Sequence, residues 1–141
     1  MGTSVAIAYP VSYPERKAAH STMIYLGKIK DFDELDKKKL TRYVEELQPL
    51  FPEHITCRAF TDRIGANNHL HCLGLHSSML LPLRNMAERM LNNRGYRADG
   101  RWAYTPHVSL HDVEVNPAKE VMALNLFKPR LWWGGFEDEI T

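Results

Sequence analysis

Charge of one sign, cysteine and long apolar runs are all scarce in this chain of 141 residues. Lysine and arginine together number 18 and aspartate and glutamate 17, for a net charge of +1. The chain therefore lacks the basic field that drives non-specific binding of duplex DNA. Any nucleotide ligand is expected to be small and held by local groups. Cys57 and Cys72 are too few for a disulfide framework. Both fall in predicted strands, where reduced, buried thiols are the expectation and a cross-strand disulfide the alternative. No stretch is long and apolar enough to span a bilayer. Residues 1–5 show neither the charged nor the apolar region of a secretory signal. These absences predict a cytoplasmic protein with no membrane association and no evident obligate protein partner.

What is present is ordinary globular material, 44% hydrophobic and 25% charged. Its length predicts one domain over residues 1–141 with a real core. Residues 5–8 and 20–26 read as strands. Leu35, Leu40, Tyr43, Val44 and Leu47 recur at helical spacing within 33–50, ahead of Pro49 and Pro52. Residues 55–60 alternate as a strand does, 61–68 carry turn chemistry, and 69–75 read as another strand. A second helix is predicted over 77–93, with Ser77 and Ser78 as N-cap candidates and Gly95 in its closing turn. Residues 107–113 and 130–133 complete the strands. The predicted order is strand, strand, helix, strand, strand, helix, strand, strand. This is an α+β domain of two similar lobes around a cleft.

Two short segments carry chemistry: His20-Ser21-Thr22-Met23 and His107-Val108-Ser109-Leu110. Residues i and i+2 of a strand share a face. Each segment can therefore present an imidazole beside a hydroxyl while its second and fourth residues turn into a core. His54 and His76 also have a hydroxyl residue two places on. His54 starts a strand whose threonine fits β-propensity, and His76 precedes the serines of a helix start. His20 instead opens a β-rich run, and Pro106 holds the residue before it extended, just ahead of His107. The expected face of the first strand is His20, Thr22 and Ile24, with Ser21, Met23 and Tyr25 behind it.

With these two segments far apart and a helix after the first, the chain resembles the 2H phosphoesterase superfamily, which includes the 2′-5′ RNA ligase-like proteins. The resemblance implies a bilobal fold of two antiparallel sheets around a central cleft, helices outside and both motifs on central strands. It also implies metal-independent phosphodiesterase chemistry without a cofactor on a cyclic nucleotide or oligonucleotide. Carried over to this chain, His20 and His107 are the catalytic histidines, and Thr22 and Ser109 the phosphate-binding hydroxyls. The run His20-Ser21-Thr22-Met23-Ile24-Tyr25 is also similar to the first motif of phage anti-CBASS nucleases, which destroy cyclic oligonucleotide signals of bacterial antiviral defence. The second motif has Ser109 where threonine is commoner in the family, which keeps the donor.

Unperturbed imidazole titrates near pH 6.5, so one ring can accept a proton while the other donates one. Trp133, Tyr104, Arg101, Arg130 and His111 are candidate substrate contacts. The aromatics, with Trp102 and Trp132 beside them and Trp133 first, suit base stacking and the arginines suit phosphate, with core packing and a solvated surface as the alternatives. His69, His71 and His76 form a rival metal set, but no carboxylate or thiol completes it, so edge-strand histidines are expected. A nucleotide- or RNA-binding module without catalysis is the second function class, and it would not need both histidines.

Overall fold

The computed structural model describes residues 3–13, 19–64, 70–100, 104–109 and 121–134. Their order is β1 (Ser4–Pro10), β2 (His20–Lys28), α1 (Glu34–Leu47), β3 (His54–Ile64), β4 (Leu70–His76), α2 (Leu80–Asn93), β5 (His107–Ser109), β6 (Val121–Phe127) and β7 (Arg130–Trp133). The strands form two antiparallel sheets, β2-β1-β7 and β5-β4-β3-β6.

β1 is the middle strand of the first sheet. Its run Val5-Ala6-Ile7-Ala8-Tyr9 is wholly buried, as an unbroken apolar run predicts for a strand covered on both faces. The sheets are joined at two margins. At one, Val11 bridges Leu126 and the Ser12 amide donates to the Asn125 carbonyl at 3.0 Å. Only Lys128 and Pro129 then separate β6 in one sheet from β7 in the other. At the other margin the edge strands β2 and β5 come together.

α1 begins at a reciprocal cap. The Asp36 amide donates to Asp33 Oδ1 at 2.8 Å, and the Asp33 amide donates to Asp36 Oδ2 at 3.0 Å. Leu40, Tyr43, Val44 and Leu47 form its buried stripe. The Tyr43 hydroxyl donates to the Ala87 carbonyl at 2.7 Å and ties α1 to α2. Pro82 sits in the first turn of α2, where its missing N–H has no intrahelical partner to lose. α2 closes at Gly95, whose φ of +87° is the left-handed turn expected there.

The structure differs from the sequence reading in several places. α2 starts at Leu80, with Met79 at its N-cap position and no side-chain cap. Ser77 Oγ instead accepts from the Met79 amide at 3.2 Å in the preceding turn. β3 runs on to Ile64, through residues read as turn, because its partner β4 continues alongside as far as Leu70. β6 is an additional strand, pairing with β3 from His54↔Phe127 to Phe60↔Val121. Cys57 and Cys72 are both free and buried. Cys72 lies opposite Ser109 while Cys57 belongs to the other face of the sheet, so no disulfide joins them.

Candidate active site

The site on β2 is built by its pairing with β1. Pro10 pairs with His20, Ala8 with Thr22, Ile7 with Ile24 and Ala6 with Tyr25. Directly paired residues share a face. The register shifts by one between Ile7 and Ala8, so Met23 is an extra residue and β2 bulges there. The face that carries His20 and Thr22 therefore continues at Tyr25. Ile24, expected on that face, is buried in the core at 1% exposure, and Tyr25 is half-buried. The bulge exchanges these two residues.

β7 adds two more side chains to this face. Trp132 pairs with Ala6 and Arg130 with Ala8. The small alanines leave space above β1 for larger groups. There the His20 and Trp132 rings lie with centroids 5.3 Å apart. The indole is fixed by Nε1–H, which donates to the Ala8 carbonyl at 3.1 Å. The Arg130 guanidinium carbon stands 5.7 Å from the Trp132 ring centroid.

β5 is short and locally fixed. Pro106 gives its carbonyl to the Leu75 amide at 3.0 Å, and His107 pairs with Gly74, Val108 with Leu73 and Ser109 with Cys72. Val108 is 2% exposed, while His107 and Ser109 on the other face are half-buried. His107 Nδ1 lies 2.6 Å from the Thr105 carbonyl oxygen. A carbonyl only accepts, so Nδ1 carries the proton and the neutral ring keeps its lone pair on Nε2.

β2 and β5 adjoin, and Ile24 and Val108 on them are buried in the core while His20, Thr22, His107 and Ser109 are half-buried. Both His-x-hydroxyl segments thus lie along the seam between adjoining strands. Among the described residues each strand is the edge of its own sheet, where the resemblance had implied a central strand. The pair becomes central only because the two edges meet.

The remaining sequence candidates separate. Arg130 belongs to the His20 face. Trp133 does not: it pairs with the buried Val5, packs edge-on against Phe32 at 6.0 Å, and carries Lys37 Nζ 5.3 Å from its ring centroid. The pleat turns it away from His20 and turns Trp132 toward it. Tyr104 is half-buried and packs against the core, with its hydroxyl buried and without a hydrogen-bond partner among the described residues. Burial is the main cause that pushes its phenol far above the ordinary range. Arg101, Trp102 and His111 lie outside the described residues, as does His69 of the rival metal set. His76 is exposed, and among the described residues no three His, Cys, Asp or Glu side chains gather as a metal site would require. Tyr25 was not anticipated, and of the two adjacent tryptophans Trp133 was preferred to Trp132. Two consecutive tryptophans on a strand guarantee one on each face, but only the pairing with β1 says which.

No protein-family model matches the chain, and no curated protein matches it by sequence. Solved structures do match. LigT of E. coli, solved in complex with 3′-AMP, superposes with a TM-score of 0.57 at 14% identity, over 94% of this chain and 95% of LigT. A second protein, described as a phosphoesterase, gives 0.56 at 15% identity, over 94% of this chain and 98% of its own. The chain therefore has the fold of LigT and of that phosphoesterase over nearly its whole length, which is the fold that the two histidine motifs led us to expect of a 2H phosphoesterase.

Proposed function

We propose that this protein is a phosphodiesterase in which His20 and His107 act as general acid and base on a cyclic nucleotide or oligonucleotide phosphodiester. The observation that carries this reading is the seam itself. Two distant His-x-hydroxyl segments occupy adjoining edge strands, with all four side chains on the side away from the core. The likeness to LigT, whose structure holds 3′-AMP, supports a phosphorylated nucleotide as ligand class.

The surroundings of the two rings differ, and this divides the roles. His107 presents Nε2 with its lone pair, because Nδ1–H is committed to the Thr105 carbonyl. It accepts a proton from water or from a substrate 2′-OH as that oxygen bonds to phosphorus. His20 rests against the Trp132 ring, whose π-face favours a cation over a neutral ring. It gives its proton to the leaving oxygen as the P–O bond breaks. Thr22 and Ser109 donate to the non-bridging oxygens, where negative charge gathers. Side chains supply each of these functions, so turnover is expected to persist in EDTA.

The test is a substrate panel: 2′,3′-cyclic phosphates, 2′-5′-linked oligonucleotides, and cyclic di- and trinucleotides of the kind used as antiviral signals. Each is incubated with protein and EDTA and read by mass spectrometry. Cleavage of at least one, abolished by His20→Ala or His107→Ala, is the expected result. Binding without cleavage across the whole panel would leave a nucleotide-binding module instead.

A further inference from the structure

The face of the second sheet does not end at His107. His107 lies opposite Gly74, and Gly74 opposite Phe60; one pleat along, His76 lies opposite Arg58. All of these residues share the face that carries His107 and Ser109. The Phe60 and His76 rings are in contact, with centroids 4.5 Å apart and planes inclined by 35°. Phe60 is half-buried, while His76 and Arg58 are exposed. The fold therefore has no structural need for a positive charge and an imidazole at these positions, as it does for the apolar residues of the opposite face.

We infer that Phe60, His76 and Arg58 form a subsite for the nucleotide one step beyond the one that bears the scissile phosphate, so that the preferred substrate is an oligonucleotide, linear or cyclic, and not a mononucleotide cyclic phosphate. This inference rests on the phosphodiesterase reading above. An aromatic pair with one open side suits a base of any identity, because every base has a π-face. A guanidinium one row away suits the phosphate that follows, through paired N–H donors. The spacing fits as well. Phe60 and Arg58 lie two strands from β5, about 10 Å at ordinary sheet spacing, which the nucleotide beyond the one bearing the scissile phosphate can reach. Gly74 sets no side chain between His107 and Phe60.

Steady-state kinetics on matched substrates test this: a 2′,3′-cyclic mononucleotide and a tetranucleotide ending in the same cyclic phosphate. Phe60→Ala and His76→Ala are expected to lower kcat/KM on the tetranucleotide by about 5- to 150-fold, the effect of one lost base stack, and to leave the mononucleotide within twofold. Arg58→Ala, at an exposed position that tolerates truncation, is expected to lower tetranucleotide kcat/KM by at least fivefold and to reduce its salt dependence. Equal losses on both substrates, or none on the tetranucleotide, would overturn the subsite while leaving the catalytic reading intact. If the wild type cleaves neither of these two substrates, the subsite is judged by titrating a fluorescent tetranucleotide, and the catalytic reading by the wider panel. Weaker binding by Arg58→Ala and His76→Ala supports it, and unchanged binding refutes it.

Discussion

Replacing His107 by alanine separates chemistry from folding. The pairing of residue 107 with Gly74 survives the substitution, because it is made by backbone. The described side-chain bond that disappears is the one to the Thr105 carbonyl, at a half-buried position. One such bond is worth about 1 kcal/mol, which moves the midpoint of thermal unfolding by only a few degrees. The same truncation removes a general base, worth about 10²–10⁴ in rate, or about 2.7–5.4 kcal/mol of barrier. Activity should therefore fall by at least a hundredfold in a protein that remains folded. The pH profile adds a sharper criterion. A base must be deprotonated, so the wild-type rate rises with pH through its titration; an acid must be protonated, so the rate falls through the titration of His20. His107→Ala should flatten the acidic limb and His20→Ala the alkaline one. The measurements are kcat/KM from pH 5 to 9 and a urea transition for each variant. A folded His107→Ala retaining more than half the wild-type rate would refute the assignment of the base. Loss of the alkaline limb in that variant would reverse the two roles.

Three further outcomes follow from particular residues. Ser21, between His20 and Thr22, is fully buried, and its hydroxyl has no hydrogen-bond partner among the described residues. Ser21→Ala should leave kcat/KM unchanged and the urea midpoint equal or higher, since an unsatisfied buried hydroxyl carries a desolvation cost; a large loss of activity would show that the hydroxyl has work the fold does not reveal. Gly27 has φ +145°, and a Cβ there would meet Asp31 Oδ2 at 3.3 Å and Phe32 Cε2 at 3.4 Å. Gly27→Ala should cost about 1–3 kcal/mol in equilibrium unfolding, and a shift below 0.5 kcal/mol, about the effect of an ordinary surface substitution, would contradict the geometry. Burial pushes the Cys57 thiol from 9.0 up to about 11. The folded state thus holds this proton more tightly than the unfolded state, and the associated stability is complete below pH 9 and lost as pH rises toward 11. The urea midpoint should fall across that window, and less steeply in Cys57→Ala; equal slopes in the two proteins would exclude the thiol as a contributor.

The parts of the fold visible in the sequence were those in which pattern and environment agree. The α1 stripe and the run Val5–Tyr9 have the periodicities their burial requires. The His-x-hydroxyl spacing needed only the two-residue repeat of a strand. The strand β6 was missed, although Leu124 and Leu126, buried at 4% and 1%, alternate with the more open Ala123 and Asn125. Parity beyond a bulge was not visible. Met23 and Ile24 are both apolar, and either could be the extra residue or the core-facing one until Ile7 and Ala8 fix the register. The same limit applies to Trp132 and Trp133, which differ in role through pairing with Ala6 and Val5 and not through anything in their own neighbourhood.

That bulge bears on the chemistry as well as on the register. Had β2 kept strict alternation, the third position of the His20 face would be Ile24, and Tyr25 would point into the core. A branched alkyl group would then stand beside the donors that the proposed function assigns to phosphate, and a phenol would be buried at a cost in desolvation. The extra residue at Met23 sends both adjacent apolar side chains inward, Met23 at 2% and Ile24 at 1% exposure, and returns a half-buried tyrosine to the site face. Met23 is held there, because the Tyr9 hydroxyl donates to its sulfur at 3.3 Å. Bulges concentrate at sheet edges and beside active sites, and β2 is an edge strand that meets a second edge. Edge strands are normally protected against pairing with another chain. Here the edges of β2 and β5 are set against each other with no ladder joining them among the described residues. Both histidine-hydroxyl pairs lie on the strands that bound this seam, so on the proposed reading the same arrangement that ends each sheet also creates the place where a phosphate is held from two sides.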